Sequence, residues 1–209
     1  MKIIIKSILA FFLLTPFSYA DSPAMPRPYV ETSNNGQYLI KMIPAQYQKE
    51  GPPIPFVGIV YKLEVDGELT ELWRISDRYS FEVYLSKDGH YLVSMGPWNV
   101  GHEPADDDLA VSFYGNGTLL KSYSTSDLVK DKNAVARSVS HYMWLSRDKV
   151  DCNYQSDSSL DAQLRIDWTN TFHLKTIDGV RYEFDVTTGE IAKKVLPKDD
   201  ETEECVRKR

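Results

Sequence analysis

The chain carries few of the residues and motifs that mark familiar chemistry. Only two of its 209 residues are cysteine, Cys152 and Cys205, and no Cys-x-x-Cys pair exists. It has no Gly-x-Ser-x-Gly nucleophile elbow, no His-Glu-x-x-His zinc motif and no glycine-rich phosphate loop. Basic side chains do not dominate either: 24 Lys and Arg stand against 30 Asp and Glu, a net charge of −6. That balance repels nucleic acid and anionic lipid. Beyond the first twenty residues no apolar run is long enough to cross a bilayer as a helix.

The first twenty residues read as a leader. Lys2 and Lys6 are basic, Ile8 to Leu14 is a short apolar run, and Ser18-Tyr19-Ala20 is a small-x-small cleavage signal before Asp21. No cysteine follows the cut to take a lipid, and no transmembrane anchor would remain. Loss of residues 1–20 leaves 22 basic against 30 acidic side chains, a net of −8. In an exported protein two cysteines most simply pair, so a Cys152–Cys205 disulfide is expected. The expected organisation is a signal peptide (1–20), one β-repeat domain (21–196) and a charged tail (197–209).

The rest is built around a repeated turn. Ser33-Asn34-Asn35-Gly36-Gln37-Tyr38-Leu39-Ile40 matches Ser86-Lys87-Asp88-Gly89-His90-Tyr91-Leu92-Val93 without a gap, at an offset of 53. Asn/Asp-Gly supplies the positive φ that a tight turn needs. Hairpins follow at Asp66-Gly67 and Asn116-Gly117, an offset of 50. A third, more decayed unit is read at Trp144-Leu145-Ser146-Arg147-Asp148, with later strands at 164–168, 172–177, 180–186 and 191–195 and a turn at Thr169-Asn170 between the first two of them. Ser126 is read as the cap of a short helix, and Trp73, Trp144 and Trp168 as core.

About a dozen short strands at this spacing define an all-β chain of antiparallel β-meander repeats. The Ser-x-Asn/Asp-Gly-x-Tyr-Leu-aliphatic pattern resembles the turn of periplasmic Tol-type and WD-repeat β-propellers. The run Leu109–Leu145 resembles exported bacterial proteins with no assigned activity. The resemblance implies a small or incomplete propeller-like fold, since three units of four strands fall short of the usual four-bladed ring. An open stack of meanders and a β-sandwich are the alternatives.

The most suggestive loop is 97–108. It carries Trp98, His102, Glu103, Asp106, Asp107 and Asp108, where the first copy (44–55) has one carboxylate, Glu50. Trp98 is either a ligand anchor or a ring folded over the sheet edge. His102, Glu103, Asp106 and Asp108 are either a polar rim or a solvated acidic loop. Oxygen ligands suit Ca²⁺, but the alternating Asp-x-Asp-x-Asp-Gly spacing is missing, so no metal is assigned. His90 and His173 read as exposed, and His141 has no assigned role. The sequon Asn116-Gly117-Thr118 is explained by its hairpin.

These observations favour an exported, periplasmic or secreted, non-enzymatic binding protein without a cofactor, whose partner is a protein or small ligand of the cell envelope. The alternative is an exported hydrolase or metal-dependent enzyme with its site around His102 and Asp106–Asp108. Intact-mass measurement of the exported, unreduced protein should give residues 21–209 with one disulfide. A mass that includes Met1–Ala20, or two thiols open to alkylation, contradicts this reading.

Overall fold

The computed structural model describes residues 23–146 and 164–197. The leader, both cysteines and the tail beyond Pro197 lie outside the described residues. Three four-stranded antiparallel meanders dominate, and none closes into a barrel. The first holds β1 (Tyr29–Thr32), β2 (Tyr38–Ile43), β3 (Val57–Leu63) and β4 (Leu69–Ile75). The second holds β5 (Val83–Leu85), β6 (Tyr91–Met95), β7 (Leu109–Gly115) and β8 (Thr118–Ser124). A one-turn helix, α1 (Thr125–Leu128), and a small hairpin of β9 (Ala136–Arg137) and β10 (Tyr142–Met143) follow. The third sheet holds β11 (Arg165–Ile166), β12 (Thr171–Lys175), β13 (Arg181–Asp185) and β14 (Glu190–Val195). This arrangement is compatible with a propeller-like repeat fold.

The second sheet is the middle layer. Ile40, Met42, Val60 and Trp73 of the first sheet pack on its Val83, Leu85, Leu92 and Tyr114. On its other face Val93, Val111 and Phe113 meet Phe172, Leu174, Tyr182 and Phe184 of the third. Covering both faces removes the usual in–out alternation, so β7 is buried without a break from Ala110 to Tyr114. β12 and β13 have one covered face and alternate strictly. The far side of the third sheet carries His173, Lys175, Arg181 and Glu183, a polar face suited to ending a stack.

Three equivalent turns join the first two strands of each sheet. In the first, the Ser33 and Gly36 amides donate to Tyr38 O (2.9 Å) and Ser33 O (2.8 Å). In the second, the Ser86 and Gly89 amides donate to Tyr91 O (2.9 Å) and Ser86 O (3.0 Å). The third is Asp167 to Thr171, one residue shorter, with the Asp167 and Asn170 amides on Thr171 O (2.9 Å) and Asp167 O (3.2 Å). Gly36, Gly89 and Asn170 sit at φ +68°, +72° and +62°. Asn170 tolerates this because its short polar side chain is among the few that visit the left-handed region.

The turns bond to one another in a closed triangle. Asn35 Nδ2 donates to Lys87 O (2.8 Å), Lys87 Nζ to Trp168 O (2.6 Å) and Asn34 Nδ2 to Ile166 O (2.7 Å). The innermost strands β1, β5 and β11 all run toward this triangle, so the meanders fan out from one shared end.

Three expectations are corrected here. The third copy of the turn is Asp167–Thr171, around the turn read at Thr169-Asn170, and not in the unit read at Trp144–Asp148, whose last two residues lie outside the described residues. Leu145 instead bridges Thr176 on the edge of β12 that also holds β11, so it lies in the innermost row of the third sheet at the end away from the turn. Trp168 is not core: it is 65% exposed at the turn tip, under Lys87 Nζ (5.8 Å from the ring centre). The cap of α1 is Ser124, which accepts from the Asp127 amide while the Asp127 carboxylate accepts from Ser124 N (2.8 Å).

The two glycines of the repeat differ in surroundings. A Cβ on Gly36 meets open space, whereas one on Gly89 would lie 2.3 Å from Tyr38 Cδ1. Gly36→Ala should cost about 1 kcal/mol from backbone strain alone. Gly89→Ala adds displacement of the Tyr38 ring and should cost about 2–3 kcal/mol. Urea midpoints check the order, and equal losses would contradict the packing of one turn on the other.

Candidate functional site

At the end opposite the three turns the meanders splay apart around a cavity of about 680 Å³. Its walls come from local features of four segments. β6 ends where the Gly96 amide donates to Ala110 O (2.7 Å) and Pro97 has no amide to continue the ladder. A Cβ on Gly96 would fall 1.8 Å from Leu109 O, so only glycine lets the chain leave the sheet there. The chain then runs beside the β9–β10 hairpin: Val100 bridges His141, and the Gly101 amide donates to Ser140 O (3.1 Å). This pairing lays the Trp98 ring on the His141 ring, centroids 3.9 Å apart and planes at 39°.

The second wall follows β10. The Ile177 amide donates to Trp144 O (2.8 Å), which brings Trp144 and Ile177 to the cavity. The third wall is Phe81 and Glu82, just before β5, with Phe81 held edge-on by Tyr79 at 5.1 Å. Pro23 and Ala24 of the proline-rich arm complete the lining. Tyr79 anchors that arm, its hydroxyl donating to Arg27 O (2.8 Å).

Few polar groups enter. Asn99 is 7% exposed, and its Nδ2 has no acceptor among the described residues. An unmet buried donor costs about 1–3 kcal/mol. Glu82 Oε1 accepts from the Tyr84 hydroxyl (2.5 Å). The Tyr142 hydroxyl donates to Asp108 Oδ2 (2.6 Å) and lies 2.7 Å from Thr125 Oγ1. Burial, then the Asp108 carboxylate, raise the Tyr142 pKa well above the ordinary tyrosine value, so it remains a neutral donor.

The loop read as a candidate site is therefore divided. Trp98 is half-buried in the cavity wall. Asp108 stands behind the wall, fixing Tyr142. Asp106 accepts from the Ser126 hydroxyl, and the Thr125 amide donates to Asp108 O (2.8 Å), so the acidic run is fastened to α1. His102 and Glu103 are exposed, and the His102 carbonyl accepts from Arg137 Nε (2.8 Å). Among the described residues no three His, Cys, Asp or Glu side chains gather as a metal site.

Sequence reasoning did not single out Asn99, Glu82 or the β9–β10 hairpin, and it took Trp144 as core without seeing the cavity beside it. The signal open to it was aromatic density: Tyr142 and Trp144 follow His141 within four residues. No family model matches the chain, and no curated protein matches it closely enough to count as a relative. Among the described residues no helix is long and apolar enough to cross a membrane.

If Asp108 fixes the wall, Asp108→Asn should lower stability by about 1.5–3 kcal/mol, the scale of one hydrogen bond to a charged group. Glu103→Gln should stay within about 0.5 kcal/mol, as at an unengaged surface site. Chelator should leave the thermal midpoint unchanged, and a midpoint that falls with chelator would contradict this assignment.

Proposed function

We propose that the protein is an exported, non-enzymatic binding protein on a propeller-like scaffold, and that its ligand enters the cavity opposite the three turns. The observation that carries this reading is the combination of size and lining. About 680 Å³ lies within the ~300–1,000 Å³ typical of ligand sites. The walls are mainly aromatic and apolar, with a small set of polar groups, the usual division between affinity and orientation. Export rests on the leader-like first twenty residues. The hydrolase reading gains little support: Asp106 and Asp108 are bonded to Ser126 and Tyr142, and His102 faces solvent beside the exposed Glu103.

Acetanilide, an aromatic ring bearing one carbonyl, is a minimal probe. Titrated into ¹⁵N-labelled protein, it should shift the Trp98 and Trp144 indole signals saturably and leave those of Trp73 and Trp168 in place. Trp98→Ala should abolish the response while keeping most of the stability. A flat titration, or a loss of about 3–5 kcal/mol in Trp98→Ala as for a core aromatic, overturns the reading.

A further inference from the structure

We propose that the basic half of the third sheet's far face is the docking site of the chain's own acidic tail, residues 199–204. Strand register sets out that face in rows. Lys175 lies opposite Arg181, and in the next row Arg165, His173, Glu183 and Lys193 stand side by side. The outward side chains of β12 and β13 are half-exposed, while every inward one is buried. The two rows carry Arg165, Lys175, Arg181 and Lys193 against the single carboxylate of Glu183, and Lys193 Nζ already takes that carboxylate at 2.9 Å. Like charges directly opposite on neighbouring strands repel. Among the described residues neither Lys175 nor Arg165 has an ion pair. The other acids of the face, Asp167 and Asp185, lie nearer the turn end and accept from the Thr169 and Thr187 amides.

The tail supplies the complement and starts at the right corner. Asp199, Asp200, Glu201, Glu203 and Glu204 are five acids in six residues. β14 ends with Val195 opposite Arg181. Pro197 then lies against the β12–β13 turn, where a Cβ added to Gly179 would be 3.1 Å from Pro197 Cβ. The acids therefore begin beside the Lys175–Arg181 row. Six extended residues span about 20 Å, whereas β14 and β12 lie about 10 Å apart, so the run is long enough to cross both cations. A second chain exit is at the same row, on the opposite edge of β12: the Ser146 amide donates to Lys175 O (3.0 Å). A Cys152–Cys205 disulfide, expected from the sequence, would draw the tail from β14 toward Ser146, over Lys175 and Arg181. Exposed ion pairs are individually weak, but a tether makes the encounter intramolecular and raises the effective concentration.

The test is zero-length carbodiimide coupling of the full-length, unreduced protein, followed by peptide mapping. Carboxylates of residues 199–204 should couple to Lys175 or Lys193 of the same chain, and not to Lys41 on the first sheet. High salt screens exposed charges and should cut this coupling about fivefold or more. Arg165→Gln with Arg181→Gln, which leaves both amines in place, should do the same. Replacing the five tail acids by Asn and Gln should speed acetylation of Lys175 severalfold and leave that of Lys41 unchanged. No coupling of the tail to either lysine overturns the proposal. So does coupling confined to Lys130, whose amide sits on Asp178 at the other side of the β12–β13 turn. Coupling indifferent to salt and to the arginine changes overturns it as well. Coupling that joins light to heavy chains in an isotope-mixed sample makes the occupant a second copy, and the tail reading falls. If an added Asp-Asp-Glu-Thr-Glu-Glu peptide couples to Lys175 while the tail does not, the face serves an acidic partner and the proposal falls too.

Discussion

Where Gly36, Gly89 and Asn170 turn the backbone through the left-handed region, three sheets are joined at one point. Each turn satisfies its own amides locally, and side chains then link one turn to the next. Asn35 reaches Lys87, Lys87 reaches Trp168, and Asn34 reaches Ile166. These bonds hold the turns together at one end, beside the face-to-face packing that sets the sheets against one another. The middle sheet can then be covered on both sides, and the aromatic seam of Phe113, Phe172 and Phe184 forms with ring centroids 5.0 to 6.4 Å apart. Such ring pairs contribute about 0.5–1.5 kcal/mol each beyond their burial. The triangle also includes Lys87 Nζ on a backbone carbonyl, so an exposed lysine takes part in tertiary structure.

Closing one end opens the other. Twisted strands that converge at their turns diverge at their far ends, and three meanders are too few to fill the gap. Residues at the strand ends line it: Trp98 and Asn99 after β6, Ile177 after β12, and Pro23 and Ala24 before β1. The β9–β10 hairpin and Trp144 come from the connection between the second and third sheets. Among the described residues, an unmet buried side-chain amide atom is found at this open end, Asn99 Nδ2, and another at the third turn, Asn170 Oδ1.

Much of the fold was legible because it is written in two short codes. Asn-Gly and Asp-Gly mark turns by their φ, and period-2 alternation marks strands with one covered face. Both gave the first two meanders and the last three strands to within a residue or two. The turn at Thr169-Asn170 was legible, but its equivalence to the other two was not, because Asn170 replaces the glycine and Asp167 the serine, so the same hydrogen bonds come from different letters. Residues 147–163 also separate Leu145 from β11 within the innermost row, which breaks the repeat where the eye expects it. The site was legible only at Trp98. Asn99 carries no pattern of its own: its burial comes from the pairing of Val100 with His141, forty-one residues away in sequence. The acidic run looked functional because charge is conspicuous, yet Asp106 and Asp108 bond to hydroxyls that hold the loop in place.

The central claim is that one end of the fan is structural and the other binds. Hydrogen–deuterium exchange on the full chain, with and without saturating acetanilide, separates the two ends in one experiment. The account predicts new protection in segments 81–82, 95–101 and 141–146, and unchanged exchange at the turns 33–36, 86–89 and 167–170. Protection that appears at the three turns, with the segments around Asn99 and His141 unaffected, would contradict it.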